Sequence, residues 1–210
     1  MLDLQDERWA TLPNAYHDPD LPALLVRLTT EPPDADDSAA SGPEQPEPTL
    51  WETIWNLVYH QGTIYPASIA AFPYLVSAAA RAEPAKRAHW LNDLAELEAT
   101  RVIGELDDPH QLVDAALMQA YQAALVHAAS LACEALTTQA EWSGRERSAA
   151  AMMSLLAFAR GDQRLGFLLA RWWPYGECSA SGGYIPVTAL ATFEEFTGQR
   201  QNPLEYDAAE

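Results

Sequence analysis

The chain has 210 residues, of which 49% are hydrophobic, so it carries enough apolar material for one domain or one short repeat array with a packed core. It has 12 Lys and Arg residues against 30 Asp and Glu residues, and the net charge of −18 argues against nucleic acid or an anionic membrane as the main partner, because phosphates would be repelled. Two cysteines, Cys133 and Cys178, are too few for a disulfide framework or a four-ligand zinc site.

Targeting and membrane signals are not visible in the sequence. Residues 1–7 hold no basic stretch followed by an apolar run, so no signal peptide is predicted. No stretch approaches about 18 uninterrupted apolar residues, so no membrane span is predicted. We therefore expect a soluble, cytoplasmic protein.

Helices are predicted along almost the whole chain, because Ala, Leu, Glu and Gln recur at three- and four-residue spacing while strand-type alternation is nearly absent. The first is a short helix at 9–12, closed by Pro13. The second covers 21–30, with Pro22 in its first turn, where a missing N–H is tolerated. Residues 1–30 are therefore expected to form N-terminal capping helices.

The segment 31–48 differs from its surroundings in composition. It holds six acids, no bases and five prolines, and almost nothing that a core would bury. Such a composition favours a flexible, solvated loop. A loop of this length is unusual inside a domain, so it is either disordered or functional, and disorder is the preferred interpretation.

Two helices follow the acidic segment. Thr49 and Glu52 have the spacing of a capping box at the start of a helix over 49–59. The next helix covers 66–82 and contains Pro73, which is expected to kink it because proline removes one backbone hydrogen bond.

The remaining chain continues the helical pattern. Further helices are predicted at 84–103, 109–138, 143–160, 162–172 and 187–198. Cys133, on the apolar stripe of its helix, is interpreted as a small core residue. Short turns group the helices into three pairs: 49–59 with 66–82, 84–103 with 109–138, and 143–160 with 162–172. A period of about 40 to 50 residues with two helices each is typical of HEAT and armadillo repeats, and a plain helical bundle stays open.

One segment carries a sequence motif in addition to the helical periodicity. The sequence reads HQGTIYPAS over 60–68 and AAFPYLV over 70–76. It resembles bacterial HEAT-like repeat proteins, in which a helix ends in a His-Gln-Gly-Thr-x-Tyr turn and the next helix carries an Ala-x-Pro-x-Leu run. The resemblance is clear over about 50–80 and looser to about 200, and the tail 192–199 resembles the last helix of such arrays. Several members of that family resemble immunity proteins, which bind and neutralise a secreted bacterial toxin.

Periodicity and resemblance together predict an all-α fold, a short right-handed α-solenoid of about three HEAT-like antiparallel helix pairs. The repeat domain would cover 49–200 and form one domain with 1–30, followed by a C-terminal tail at 201–210. The exposed ends of such an array need caps, which are expected from the helices at 21–30 and 187–198.

The turn after the helix at 49–59 is the sharpest candidate site, and it has two interpretations. As a structural elbow, His60 would cap the last helix carbonyls, Gly62 would take a positive φ, Thr63 would satisfy N–H groups of the next helix, and Tyr65 would pack between the helices. As a binding site, His60, Gln61 and Thr63 would hold an anion or a partner side chain at a helix N-terminus. The structural elbow is the preferred interpretation.

Aromatic residues near the C-terminal end form a second candidate. Trp172, Trp173 and Tyr175 belong to the residue types that dominate binding hot spots, although adjacent tryptophans at a helix end more often close a core. They are kept as candidate interface residues, with the core role preferred.

No catalytic, metal or cofactor site is predicted. The acid and histidine clusters at 17–20 and 107–110 lack a chelating spacing and are typical of helix starts. The Gly/Ser-rich segment 176–183 lacks the lysine and preceding strand of a phosphate-binding loop. Glu96 and Glu98 do not face one another on a helix and are interpreted as solvated charge.

We therefore expect a non-enzymatic protein-binding module with a basic protein partner. The resemblance makes an immunity protein against a basic toxin the most concrete form of this hypothesis. One alternative is a small-molecule-binding or enzymatic helical protein that uses the turn from His60 to Tyr65. Another is that the acidic segment 31–48 is itself the binding element, as a disordered tether.

Overall fold

A computed structural model describes residues 1–32, 48–103, 113–138 and 146–170, and 76% of the described residues are helical. The prediction of an all-α fold is confirmed for this part of the chain, apart from one two-stranded hairpin. A 3-10 helix at Glu7–Thr11 comes first. The helices are α1 (Leu21–Thr30), α2 (Leu50–Val58), α3 (Pro66–Arg81), α4 (Pro84–Ile103), α5 (Ala115–Thr138), α6 (Glu146–Ala159) and α7 (Gln163–Ala170), and the strands are β1 (Tyr59–His60) and β2 (Thr63–Ile64).

Local signals set the helix starts, as α2 illustrates. The Thr49 hydroxyl accepts a hydrogen bond from the Glu52 N–H at 3.2 Å, and the Glu52 carboxylate accepts one from the Thr49 N–H at 2.8 Å. The predicted capping box is therefore confirmed. Pro22 and Pro66 lie in the first turns of α1 and α3, while Pro73 lies inside α3, which continues to Arg81.

The start of α5 differs from its prediction. The helix begins at Ala115, whereas a start at Pro109 was predicted, and the two residues before Ala115 are not helical. The physical reason is a cap: the Asp114 carboxylate accepts a hydrogen bond from the Leu117 N–H at 2.8 Å. Because Asp114 caps the first turn, the helix starts after Asp114 and not at Pro109.

The prediction that Cys133 is a core residue is wrong. Its side chain is exposed, whereas its neighbours Leu131 and Ala132 are buried. The helix turns about 100° per residue, so Cys133 falls on the outer side of α5 while Ala128, Leu131 and Ala135 face the core.

A continuous apolar core joins the helices, with members from Leu2 to Phe167. Helix α3 packs against α1, α4 and α5, and α4 packs against α3, α5, α6 and α7. The most extensive contacts join α5 with α6, α6 with α7, and α3 with α5. Each helix thus buries its apolar stripe on the next helix along the chain, on the one after that, or on both.

Several predicted features lie outside the described residues. These are most of the acidic segment (33–47), the segment 104–112, the first residues of the helix predicted at 143–160, the aromatic residues Trp172, Trp173 and Tyr175, the segment 176–183 with Cys178, the helix at 187–198 and the tail at 201–210. Within the described residues, none of the helices combines the length and apolar character needed to cross a membrane.

Candidate functional site

The turn at 60–65 is a β-hairpin, which the helical pattern did not predict. Strands β1 and β2 are antiparallel, with Tyr59 opposite Ile64 and His60 opposite Thr63. The two residues between the strands both have positive φ, 50° at Gln61 and 78° at Gly62. Positive φ at both central positions is the geometry that a two-residue hairpin loop favours. The predicted positive φ of Gly62 is confirmed, and Gln61 shares it.

Ser68 in the first turn of α3 holds the hairpin against the helices. Its hydroxyl accepts a hydrogen bond from the Tyr65 N–H at 2.7 Å and donates one to the Val58 carbonyl. The side chain is fully buried, so both bonds are shielded from water. Ser68 therefore has the capping role that was predicted for Thr63, which instead lies half-buried in β2.

The hairpin rests against the N-terminal segment of the chain. The Ala15 N–H donates to the Leu57 carbonyl at 2.9 Å, and the Ala67 N–H donates to the Pro13 carbonyl at 3.2 Å. These bonds fix the segment at the end of α2 and the start of α3, so the N-terminal residues form part of the same surface as the hairpin.

Asn14 shapes that segment into a tight loop. Its side-chain oxygen accepts from the Tyr16 and Asp18 N–H groups at 3.2 and 2.9 Å, and its amide donates to the Asp18 carbonyl at 2.7 Å. Asn14 is only 5% exposed, and His17 inside the loop has a φ of 53°. A buried side chain with three backbone partners makes the loop well defined.

Tyr16 and His60 meet on the outside of this arrangement. The Tyr16 hydroxyl lies 3.1 Å from His60 Nδ1, and the two rings pack edge to face with centroids 5.1 Å apart. Tyr16 nevertheless keeps 58% of its surface exposed. We call Tyr16, His17, His60 and Gln61 the hairpin site.

The structure thus gives the predicted turn residues different contacts and different degrees of exposure. His60 bonds Tyr16, whereas the last carbonyls of α2, those of Leu57 and Val58, accept from the Ala15 N–H and the Ser68 hydroxyl. The helix-capping role that was predicted for His60 is thus filled by other groups. Gln61 is exposed at the tip, and Tyr65 is half-buried at the start of α3. Sequence reasoning did not identify Tyr16, although an aromatic residue inside a turn-forming run of Pro, Asn and Asp is unusual enough to be a signal.

An aromatic ladder lies on the neighbouring side of α2. Trp51 stacks on Trp90 with centroids 4.2 Å apart and 5° between the planes. Trp51 is nearly parallel to Trp55 at 6.5 Å, and Trp55 packs on Tyr59 at 4.9 Å. These four residues are the aromatic ladder, and they attach α2 to α4.

Two carboxylates of α4 accept hydrogen bonds from residues of the aromatic ladder. The Trp51 indole N–H donates to Asp93 at 2.8 Å, and the Tyr59 hydroxyl donates to Glu96 at 2.8 Å. Trp51 and Tyr59 therefore each have a polar partner for their polar atom, as buried Trp and Tyr require. The arrangement fixes the angle of α2 and with it the position of the hairpin.

Glu98 is the other notable acid of α4, and the prediction that it is solvated is wrong. It is 1% exposed and receives two hydrogen bonds from Arg101, at 2.6 and 2.7 Å, and one from the Tyr121 hydroxyl. Helical spacing places Glu98 on the core face together with Leu91 and Leu94. A buried carboxylate with a bidentate guanidinium is a structural ion pair.

The pKa shifts in this network follow from burial and charge. Burial raises the pKa of Tyr121 well above its ordinary value, and the negative charge of Glu98 raises it further. Burial by itself would lower the pKa of Arg101, but the hydrogen bond to Glu98 and the nearby Tyr121 and Glu98 groups outweigh it and raise that pKa. Arg101 thus stays charged and Tyr121 stays protonated over the ordinary pH range.

The described residues contain no cluster of three or more His, Cys, Asp or Glu side chains placed to hold a metal ion. Comparisons of the chain with protein-family models, with curated proteins and with solved structures found no match.

Proposed function

We propose that the protein is a non-enzymatic binding module for a basic protein, and that the hairpin site lies at the centre of the interface. The observation that carries this proposal is the geometry of Tyr16, which is 58% exposed although its loop is fixed by Asn14 and its hydroxyl by His60. An exposed aromatic side chain that already has a hydrogen-bond partner and a defined backbone has less conformational entropy to lose when a partner buries it.

The chemistry of the surface around Tyr16 suits a cationic partner. Asp18 and Asp20 follow in the same exposed turn, and the Asp20 side chain does not cap α1. An arginine of the partner would stack on the Tyr16 ring and pair with these carboxylates. Tyrosine is enriched among the residues that dominate binding energy.

The distribution of charge supports the same class of partner. The described residues carry 15 acids and 9 bases, whereas the other segments carry 15 acids and only 3 bases. An acidic protein attracts a basic partner from a distance, and salt weakens that attraction. The acidic segment that begins at Glu31 would contribute to this steering.

Helix packing supports an array architecture for the module. Alternate helices pack on one another, α1 on α3, α3 on α5 and α4 on α6, as in stacked helix pairs. We propose that these pairs form the short right-handed array expected from the HEAT-like resemblance. That resemblance favours an immunity protein as the specific role, since nuclease toxins need positive charge to hold their own substrates.

The proposal is tested by partner capture with matched surface variants. Tyr16→Ala removes the exposed anchor, and Val126→Ala is the control, since Val126 is 59% exposed on α5. We expect the wild type and the control to retain the same basic protein from lysate of the source cells at low salt, and the Tyr16 variant to lose it. Truncation of a central aromatic anchor costs about 2 kcal/mol or more, which is roughly a 30-fold loss of affinity.

Two results would contradict the proposal. One is equal capture by the Tyr16 and Val126 variants, which would place the interface elsewhere. The other is the absence of any salt-sensitive basic partner. Thermal melts of both variants show whether the loop remains folded, because the proposal requires that Tyr16→Ala leaves the melting temperature close to the wild-type value.

A further inference from the structure

Two residues of the hairpin site have a backbone conformation that L-amino acids rarely adopt. Among the non-glycine residues that the structure describes, only His17 and Gln61 have a positive φ, at 53° and 50°. Each of them directly follows one member of the Tyr16–His60 pair in the chain. The left-handed conformation therefore occurs in both of the segments that meet at this contact.

The left-handed conformation lowers stability, because the Cβ atom lies too close to the following carbonyl oxygen. Glycine and asparagine avoid much of this cost, and a two-residue hairpin loop with positive φ at both positions favours the pair Asn-Gly. The loop of this hairpin is Gln61 followed by Gly62, so a glutamine occupies the position where asparagine is preferred. Histidine tolerates positive φ better than glutamine does, so Gln61 has the larger cost.

The side chains of His17 and Gln61 make no polar contact that would offset this cost. Both are exposed, and neither forms a hydrogen bond, an ion pair or a ring contact with another residue of the described part of the chain. Backbone strain that the local structure does not require is typical of residues whose side chains have a function.

The chemistry of the Gln61 side chain indicates what it would bind. Its carboxamide offers one oxygen acceptor and two N–H donors. A carboxylate would attract a cationic side chain more strongly, and this chain has 30 acidic residues. An amide instead suits a group that offers both a donor and an acceptor, and the main-chain peptide group is one that every protein partner has.

We propose that Gln61 and His17 contact the basic partner directly, and that Gln61 hydrogen-bonds a main-chain peptide group of the partner beside the arginine that packs on Tyr16. This inference rests on the protein interface proposed above and adds the residues that determine its specificity. The two side chains are retained at a cost to stability because they bind the partner.

The first measurement tests this cost on the free protein. Gln61→Asn relieves the strained conformation and should raise the melting temperature by about 2–4 °C. Gln119→Asn is the matched control and should not raise it, because Gln119 is exposed in α5, where asparagine is a poorer helix former than glutamine. A melting temperature of Gln61→Asn at or below the wild-type value would overturn the proposal.

The second measurement uses the basic protein that the wild type retains from lysate of the source cells at low salt, purified and immobilised for surface plasmon resonance. Gln61→Met keeps the length of the side chain and removes its polar atoms, so we expect about 10-fold weaker affinity and an unchanged melting temperature. His17→Asn removes the imidazole at a position that tolerates asparagine and should also weaken the affinity. The controls Gln119→Met and His127→Asn, both exposed on α5, should bind as the wild type does.

The outcomes distinguish this inference from the proposed function. If Tyr16→Ala loses the partner while Gln61→Met and His17→Asn bind it as tightly as the wild type, the interface stands and this inference is wrong. If only one of the two variants keeps the wild-type affinity, the contact assigned to that residue is wrong. If the wild type retains no basic protein, the proposed function and this inference fail together.

Discussion

At the scale of single residues, Ser68 links three parts of the fold through one hydroxyl. It bonds the Tyr65 N–H and the Val58 carbonyl, and thereby connects the start of α3 with the end of α2 across the hairpin. Serine is not an apolar core residue, so nothing in the hydrophobic pattern marks it. Its position three residues after Tyr65, at the beginning of a helix, is the signal that a capping argument would use.

Ser68→Ala is expected to destabilise the protein by about 1–3 kcal/mol, because two buried backbone groups lose their partner. Ser77→Ala is the matched control, since Ser77 is exposed on the same helix. Urea denaturation followed by circular dichroism measures both. A Ser68 variant as stable as the Ser77 variant would show that the hydroxyl contributes nothing.

Tyr121 makes the stability of the folded protein depend on pH under alkaline conditions. Its pKa is raised by burial and then by Glu98, so the folded protein keeps the proton at a pH where the unfolded chain loses it. The stabilisation is complete below about pH 10, the ordinary tyrosine pKa, and falls above it by about 1.4 kcal/mol per pH unit. Burial also raises the pKa of Tyr74, which adds a change of the same sign.

Urea melts between about pH 9 and pH 11.5 test this dependence. Tyr121→Phe should reduce the alkaline loss of stability relative to the wild type, at the cost of about 1–3 kcal/mol near neutral pH, because Glu98 loses a hydrogen-bond donor. Tyr16→Phe changes an exposed tyrosine and is the matched control. If the free energy of unfolding falls equally steeply with pH in Tyr121→Phe and in the wild type, Tyr121 is not the source of the alkaline pH dependence.

At the scale of elements, the close approach of α6 and α7 depends on Gly166. A Cβ atom at this position would lie 2.4 Å from a ring carbon of Phe158, well inside van der Waals contact. Gly166 is buried within α7, where glycine is otherwise unfavourable by about 1 kcal/mol relative to alanine. Packing against the Phe158 ring is the reason for a glycine at this position.

Gly166→Ala is therefore expected to destabilise the protein by about 1–3 kcal/mol through overpacking. In a Phe158→Ala background the same substitution should become neutral or stabilising by about 1 kcal/mol, because the ring is gone and alanine favours the helix. A four-variant cycle of urea melts measures the coupling. Additive effects of the two substitutions would show that the ring and the glycine are energetically independent.

At the scale of the whole molecule, the net charge of −18 produces self-repulsion in the folded state. Salt screens this repulsion, so the melting temperature should rise between about 0.02 and 0.5 M NaCl. A screening gain of about 1 kcal/mol corresponds to a rise of about 2–4 °C. KCl should have the same effect at equal ionic strength, whereas a melting temperature that stays constant or falls would show that local ion pairs outweigh the repulsion.

Much of the helical architecture followed from the sequence. The bounds of α1 and α4 agree with those predicted. Helix α2 differs by one residue at each end and α3 by one residue at its C-terminal end, because prolines and capping residues act within one turn of the helix. The apolar residues that recur at helical spacing along α3, Ile69, Phe72, Leu75, Val76 and Ala79, are all buried. Periodicity and caps are local properties, so one sequence suffices to identify them.

The candidate site depended on tertiary structure. Tyr16 meets His60 across 44 positions of the chain, and Trp51 meets Trp90 across 39. The burial of Glu98 and the exposure of Cys133 were decided in the same way, by which side of a helix met a neighbour. Sequence patterns specify which residues share a face, whereas the packing of whole helices determines what that face meets, since packing sums many weak contacts between distant segments.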